Sequence, residues 1–211
     1  MSAVPYVLLA TRNPGKLREV REIAAATRRG GLVWHALHEF AGLPDADESG
    51  ATFAENARLK ALHYGRLTGL PTLADDSGLE VDALHGAPGV HSARFAGTPR
   101  DDAANNRKLI GLLTDVPLAR RTARFRCAMA FVRDGQVVLE SEGTFDGLIS
   151  DEARGSNGFG YDPHFLVPDL GLTAAELPSA EKNARSHRGQ ALRSMLTQLE
   201  ALYRSLGQWG V

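Results

Sequence analysis

Residues 124–132 set Phe125, Cys127, Met129 and Phe131 on one face of a strand, and Asp134-Gly135 follows at once. Asp-Gly between β-prone runs favours a tight hairpin turn, because both central residues must take positive φ. The return strand runs from Gln136 to Phe145, so an antiparallel hairpin stands in the middle of the chain. The flanks carry a different pattern. Residues 4–10 are a short apolar run. Leu17, Val20 and Ile23 then mark one stripe of a helix from Lys16 to Ala26, and Leu32 to Leu37 reads as a second strand. Thr52 and Glu55 have capping-box spacing and open a helix to about Leu67. Leu73 to Asp75 makes a short buried strand, with Leu79 to Asp82 resuming after a bend, and Thr98-Pro99 starts a helix to about Leu113. Leu192, Met195, Leu196, Leu199, Leu202 and Leu206 stripe a last amphipathic helix from about Gln190. Strand–helix alternation favours parallel pairing and the hairpin adds an antiparallel pair. The expected class is therefore α/β with a mixed sheet flanked by helices.

No repeat, low-complexity tract or linker divides the sequence, so residues 1–211 are expected to form a single domain. Hydrophobic residues make up 43% and charged residues 23%, enough for a core without staples. The formal net charge of −1 supplies no global field for nucleic acid or membrane, so an anionic ligand must be met by a local cluster of cations. Cys127 is the only cysteine, which rules out an intrachain disulfide and fits a reducing compartment. The expectation is a cytoplasmic protein without a leader peptide or a membrane helix.

Four clusters carry chemistry. Asp75-Asp76, followed by Ser77-Gly78, closes an apolar run. Such a pair reads either as a polar turn or as oxygen ligands for a hard cation beside a candidate base. Glu48, in the loop before the Thr52 helix, would complete a two-carboxylate magnesium site with Asp76, while Asp45 and Asp47 read as solvated loop charges. Thr11-Arg12-Asn13-Pro14-Gly15-Lys16 joins the first strand to the first helix, where backbone N–H groups and Lys16 would favour an anion, unless the segment is only a capped helix with a surface lysine. It is not a Walker A loop: the first glycine is missing and Leu17 replaces the Ser or Thr. Asn56 and Lys60 stand four apart on one helix face, making Lys60 either a second cation for phosphate or a surface lysine. In Gly155 to Pro163, glycines admit a flat ligand and Phe159 or Tyr161 could stack on a base, unless the aromatics only pack their own loop. Lys182, Arg185, His187 and Arg188 make a basic stretch before the last helix. There Lys182 offers a point charge and Arg188 a planar donor fork, unless the stretch is only a solvated basic helix start. Together these parts make up a nucleoside triphosphate site.

Five segments in this order resemble the inosine triphosphate pyrophosphatase family: residues 11–16, Ala74 to Leu79, Gly86 to Phe95, Gly158 to Pro163, and Ser186 to Gly189. Arg12 departs from the pattern, where the family usually has a small residue. The resemblance implies an elongated two-lobed α/β fold with a long central mixed sheet, an active-site cleft between the lobes, and a homodimer. It implies hydrolysis of the triphosphates of inosine, deoxyinosine and xanthosine to monophosphate and pyrophosphate with Mg2+. Carried over position by position, Thr11, Arg12, Asn13, Pro14, Gly15, Lys16 and Lys60 are implied triphosphate contacts. Glu48 and Asp76 are the implied metal ligands, Asp76 the implied base and Ser77 a substrate contact. Phe159, Gly160, Tyr161 and Asp162 are the implied base-stacking segment. Lys182, His187 and Arg188 are implied contacts to phosphate and to the purine edge. A binding module without turnover, or a pyrophosphatase for pyrimidine or modified nucleotides, is the competing reading.

Overall fold

In the computed structural model the described residues are 5–27 and 31–209; residue 4 of the expected first run lies outside them, and within them the first strand is β1 (Tyr6–Leu9). It is followed by α1 (Pro14–Ala26), β2 (Val33–Ala36), α2 (Phe53–Thr68) and β3 (Thr72–Val81). Next come α3 (Asp102–Leu112), β4 (Thr122–Arg133), β5 (Gln136–Ile149), β6 (Phe165–Val167), β7 (Leu172–Thr173), α4 (Ser179–Arg185) and α5 (His187–Ser205). One seven-stranded sheet runs in the order β2-β1-β3-β4-β5-β6-β7. It is mixed: β1 pairs parallel with β2 and β3, while β6 pairs antiparallel with β5 and β7. Asp134 and Gly135 both take positive φ, 52° and 76°, as a two-residue hairpin turn between β4 and β5 requires.

Several boundaries moved for local reasons. Helix α1 starts at Pro14 rather than Lys16, because the Asn13 side chain caps it and proline fits the first helical position. Helix α3 starts at Asp102 rather than at Thr98-Pro99, because the Asp101 side chain accepts from the Ala104 N–H at 2.9 Å and fixes the cap there. The expected bend between Asp75 and Leu79 is absent, and β3 is one continuous strand of 10 residues. Strands β6 and β7, of three and two residues, are too short to leave a periodic trace. Leu206 lies beyond α5 and is exposed, so it does not belong to the buried stripe.

The chain divides into two compact units. The first is Met1–Asp76, Cys127–Gly143 and Arg188–Val211; the second is Ser77–Arg126 and Thr144–His187. In the first, Val7, Leu9, Leu73, Met129 and Phe131 of the strands pack with Val20 and Ile23 of α1 and with Leu192, Met195, Leu196 and Leu199 of α5. Cys127 is buried in the same cluster. In the second, Leu79, Val81, Phe125, Phe145, Ile149 and Phe165 pack with Leu109 of α3 and with Leu113, which follows that helix. The expected face of β4 therefore serves two cores, with Phe125 in one and Cys127, Met129 and Phe131 in the other.

The first unit also buries a set of charges. Lys16 and Glu19, one turn apart on α1, both reach inward. Lys16 Nζ lies 2.9 Å from Asp75 Oδ2, Arg188 Nε donates to the same oxygen at 3.3 Å, and Arg188 Nη1 donates to Glu19. Asp75 is 1% exposed and Arg188 2%. Burial alone would raise the Asp75 carboxyl, but Lys16, Arg188 and Lys60 outweigh it and hold it well below the usual carboxylate range. Burial likewise opposes the charge on Arg188, and Glu19 and Asp75 overcome it, so its pKa is raised.

Removing one member of such a set leaves the others buried and uncompensated. Asp75→Asn is expected to lower stability by about 3–5 kcal/mol at neutral pH, measured by urea denaturation. Because the folded pKa is depressed, this contribution is complete above the unfolded value of about 4 and is lost as pH falls toward the folded value. The gap between wild type and variant should therefore narrow on acidification below about pH 4. A gap that holds constant through that range would show that the Asp75 charge is not what stabilises the cluster.

Candidate active site

Adjacent side chains on a strand point to opposite faces, and the unbroken β3 therefore separates Asp75 from Asp76. Asp75 meets α1 and α5 through Lys16 and Arg188; Asp76 meets α2 through Asn56 and Lys60. The start of α2 is tightly determined. Thr52 Oγ1 accepts from the Glu55 N–H at 3.1 Å, and Glu55 Oε2 accepts from the N–H groups of Thr52 at 3.2 Å and Ala51 at 2.7 Å. Four residues apart on the buried face of this helix, Asn56 and Lys60 both reach Asp76. Asn56 Nδ2 donates to Asp76 Oδ2 at 3.2 Å, while its own Oδ1 accepts from the Gly50 N–H at 2.8 Å. Lys60 Nζ donates to the Asp75 carbonyl at 2.9 Å and to Asp76 Oδ1 at 3.3 Å, and lies 3.3 Å from Glu48 Oε1.

Glu48 and Asp76 thus converge on one ammonium group. Burial would lower the Lys60 pKa, but Asp76 and Glu48 raise it further than burial lowers it, so the lysine stays charged. Two carboxylates on a common point offer hard oxygen donors. That donor set fits magnesium, which keeps several waters and takes further ligands from substrate phosphates. Among the described residues no group of three or more His, Cys, Asp or Glu gathers as a metal cage.

The 11–16 segment is engaged differently from the expectation. Asn13 Oδ1 accepts from the N–H groups of Gly15 at 2.8 Å and Lys16 at 3.3 Å, and Thr11 Oγ1 accepts from the Asn13 N–H at 3.1 Å. Pro14 has no N–H. The N–H groups of Gly15 and Lys16 are therefore taken up by the cap, and the side-chain cations of the loop are Lys16 and Arg12. Arg12 turns to the 43–45 loop, with Nη2 donating to the Leu43 carbonyl at 2.5 Å and Nε 2.8 Å from Asp45 Oδ1. Asp45 is thus a partner of Arg12 rather than only a solvated charge.

In the second unit, Asp162 is the hub of the aromatic loop. Its Oδ2 accepts from the Phe159 N–H at 2.8 Å and from Lys182 Nζ at 2.5 Å. Gly158 takes φ +76°, and a Cβ there would lie 2.0 Å from that same oxygen, so no other residue can close the loop as tightly. Lys182 Nζ also stands 5.3 Å from the Phe159 ring centroid. Tyr161 is buried, and its hydroxyl donates to the Ser92 carbonyl at 2.8 Å. Burial pushes that phenol's pKa up. Of the two rings of the loop, Phe159 is the half-exposed one that can offer a face to a ligand. His187 is buried with its ring stacked on Phe125, centroids 5.0 Å apart and planes 17° from parallel. Ser77 is half-buried in β3.

Arg188 is buried and donates to Glu19 and Asp75, which ties it into the charge network of the first unit. Sequence reasoning did not find Glu19, and noted Asn56 only for its spacing from Lys60. Glu19 follows Lys16 by one helical turn, but nothing in an acidic residue on a surface-type stripe marks it as buried. Asn56 carried a signal, its i,i+4 spacing from Lys60 next to a capping box.

The sequence pattern of the Ham1 family matches residues 7–198. A dITP/XTP pyrophosphatase of Thioalkalivibrio sulfidiphilus (strain HL-EbGR7) is 52% identical over 196 residues, which cover 92% of this chain and 98% of the relative. One from Methylococcus capsulatus (strain ATCC 33009 / NCIMB 11132 / Bath) is 50% identical over 93% of this chain and 96% of its own. The solved structure of a HAM1 protein from Coxiella burnetii is 44% identical, with a TM-score of 0.81 over 92% of this chain and 98% of that one. The chain belongs to the Ham1 family.

Proposed function

We propose that this protein hydrolyses non-standard purine nucleoside triphosphates, those of inosine, deoxyinosine and xanthosine, to the monophosphate and pyrophosphate. The observation that carries the reading is the convergence of Glu48 and Asp76 on Lys60, beside a strand whose next carboxylate holds Lys16. The dITP/XTP pyrophosphatases of T. sulfidiphilus and M. capsulatus, similar over nearly the full length of both chains, support the substrate class.

In the proposed reaction water attacks the α-phosphorus and pyrophosphate leaves. Asp76 accepts the water proton. Its carboxylate is held at one oxygen by Asn56 and at the other by Lys60, so its orientation is set before substrate arrives. Lys16 and Lys60 bring fixed positive charge to the triphosphate, where positioning and electrostatics supply most of the rate in phosphoryl transfer. Asp75 keeps Lys16 in place, and Arg188 and Glu19 in turn keep Asp75 there. Glu48 and Asp76 would hold a magnesium ion, which when bound neutralises charge on phosphate oxygens. Phe159 offers the ring on which a purine stacks, with Asp162 fixing its backbone. The same reading includes a homodimer in the cytoplasm.

Incubation with inosine triphosphate and Mg2+ is expected to release pyrophosphate rather than orthophosphate, and chelation of Mg2+ to stop it. Release of orthophosphate alone, or no turnover across inosine, xanthosine and deoxyinosine triphosphates, would refute the assignment. Asp76→Asn keeps shape and removes the proton acceptor, so kcat should fall at least about 100-fold with the fold intact by circular dichroism. Near-normal turnover in that variant would remove Asp76 from the role of base.

A further inference from the structure

The first turn of α3 holds both peptide groups that flank Gly160. The Gly160 N–H donates to Asp102 Oδ2 at 3.0 Å, and Asn106 Nδ2 donates to the Gly160 carbonyl at 2.8 Å. Asn106 Nδ2 also donates to the Asp102 carbonyl at 2.9 Å, which ties the two clamping residues together. The Asp102 carboxylate is itself fixed by Arg100, whose Nε and Nη2 donate to its two oxygens at 2.8 and 3.1 Å. Burial would raise the Asp102 carboxyl, and Arg100 and the Gly160 N–H bring it below its ordinary value. The Arg100 guanidinium stands 6.0 Å from the Phe159 ring centroid.

Phe159 is thereby fixed on both sides. Its own N–H is held by Asp162, and the peptide that follows it is held by Asp102. With both flanking peptides held, the ring is placed by its own side-chain torsions, and Arg100 and Lys182 stand against it. We propose that Asp102 and Asn106 are positioning residues for purine binding. They clamp Gly160 so that the Phe159 ring is preset for a base before the nucleotide arrives, which lowers the ordering cost of binding. This rests on the proposed function, because it takes Phe159 as the platform for the base. The clamp acts on the base end of the ligand and not on its phosphates. Gly160 contributes by its positive φ of 63°, which lets its N–H and carbonyl meet the same helix turn.

The test compares inosine monophosphate and pyrophosphate binding by isothermal titration calorimetry in wild type, Asp102→Ala, Asp102→Asn and Asn106→Ala. Asp102→Ala and Asn106→Ala are expected to weaken inosine monophosphate about tenfold, within the worth of one base–aromatic stack, and to leave pyrophosphate unchanged. Asp102→Asn keeps an acceptor for the Gly160 N–H and should recover most of the loss. The helix cap at Asp101 is intact in all three variants, and thermal melting identifies any that does not fold; Asn106→Ala, which leaves the Arg100–Asp102 pair untouched, then carries the test. Unchanged inosine monophosphate affinity in folded Asp102→Ala and Asn106→Ala overturns the clamp, as does an equal loss of both ligands. Failure of the proposed function is seen separately, as absence of pyrophosphate release from inosine triphosphate by wild type.

Discussion

Strand β3 does not turn between Asp75 and Asp76, and the rest of the site follows from that constraint. A pleated strand must send neighbouring side chains to opposite faces. One carboxylate is therefore delivered to α1 and α5 and the other to α2. Side by side in sequence, the two acids never act as a pair. Asp75 is spent on holding Lys16 and Arg188, and Asp76 is left to meet Glu48 and Lys60. Had the chain bent there, both carboxylates could have faced one cation, and neither Lys16 nor Arg188 would have a buried partner on the strand.

The ion set around Asp75 is costly to assemble, since each charge must leave water, and it holds because each charge is paired with an opposite one. Its value lies less in net stability than in register. Lys16 on α1, Asp75 on β3 and Arg188 at the start of α5 come from three distant stretches of chain, and one carboxylate oxygen receives both cations. That fixes where the charge of the 11–16 segment sits. In the second unit Asp162 plays an analogous part, holding a backbone N–H and Lys182 on a single oxygen.

The α/β class and the mixed sheet were legible because they depend on periodicity and turn chemistry, as at Asp134-Gly135 and at the Thr52–Glu55 cap. Glu48, Lys60 and Asp76 were legible as residue types at a plausible spacing, and the structure brings these three together. Partner choice was not legible. The sequence cannot say that Arg12 turns to Asp45 or that Tyr161 directs its hydroxyl to Ser92. Those depend on which distant residue the fold brings beside each donor. The continuity of β3 was missed for a related reason: Asp, Asp, Ser and Gly are turn residues by local preference, and only helices supplying Lys16, Asn56 and Lys60 make them tolerable in a buried strand.

The Asp75 charge has an effect on a neighbour that takes no part in the site. Cys127 is buried, and burial first, then the nearby Asp75 carboxylate, push its thiol up to about 12. Thiolate is the reactive form, so this sulfur is chemically silent while the first unit is closed. As the only cysteine in the chain, it becomes a native reporter. The rate at which a thiol reagent labels it measures how often the core around β4 and α5 opens, with no engineered probe needed.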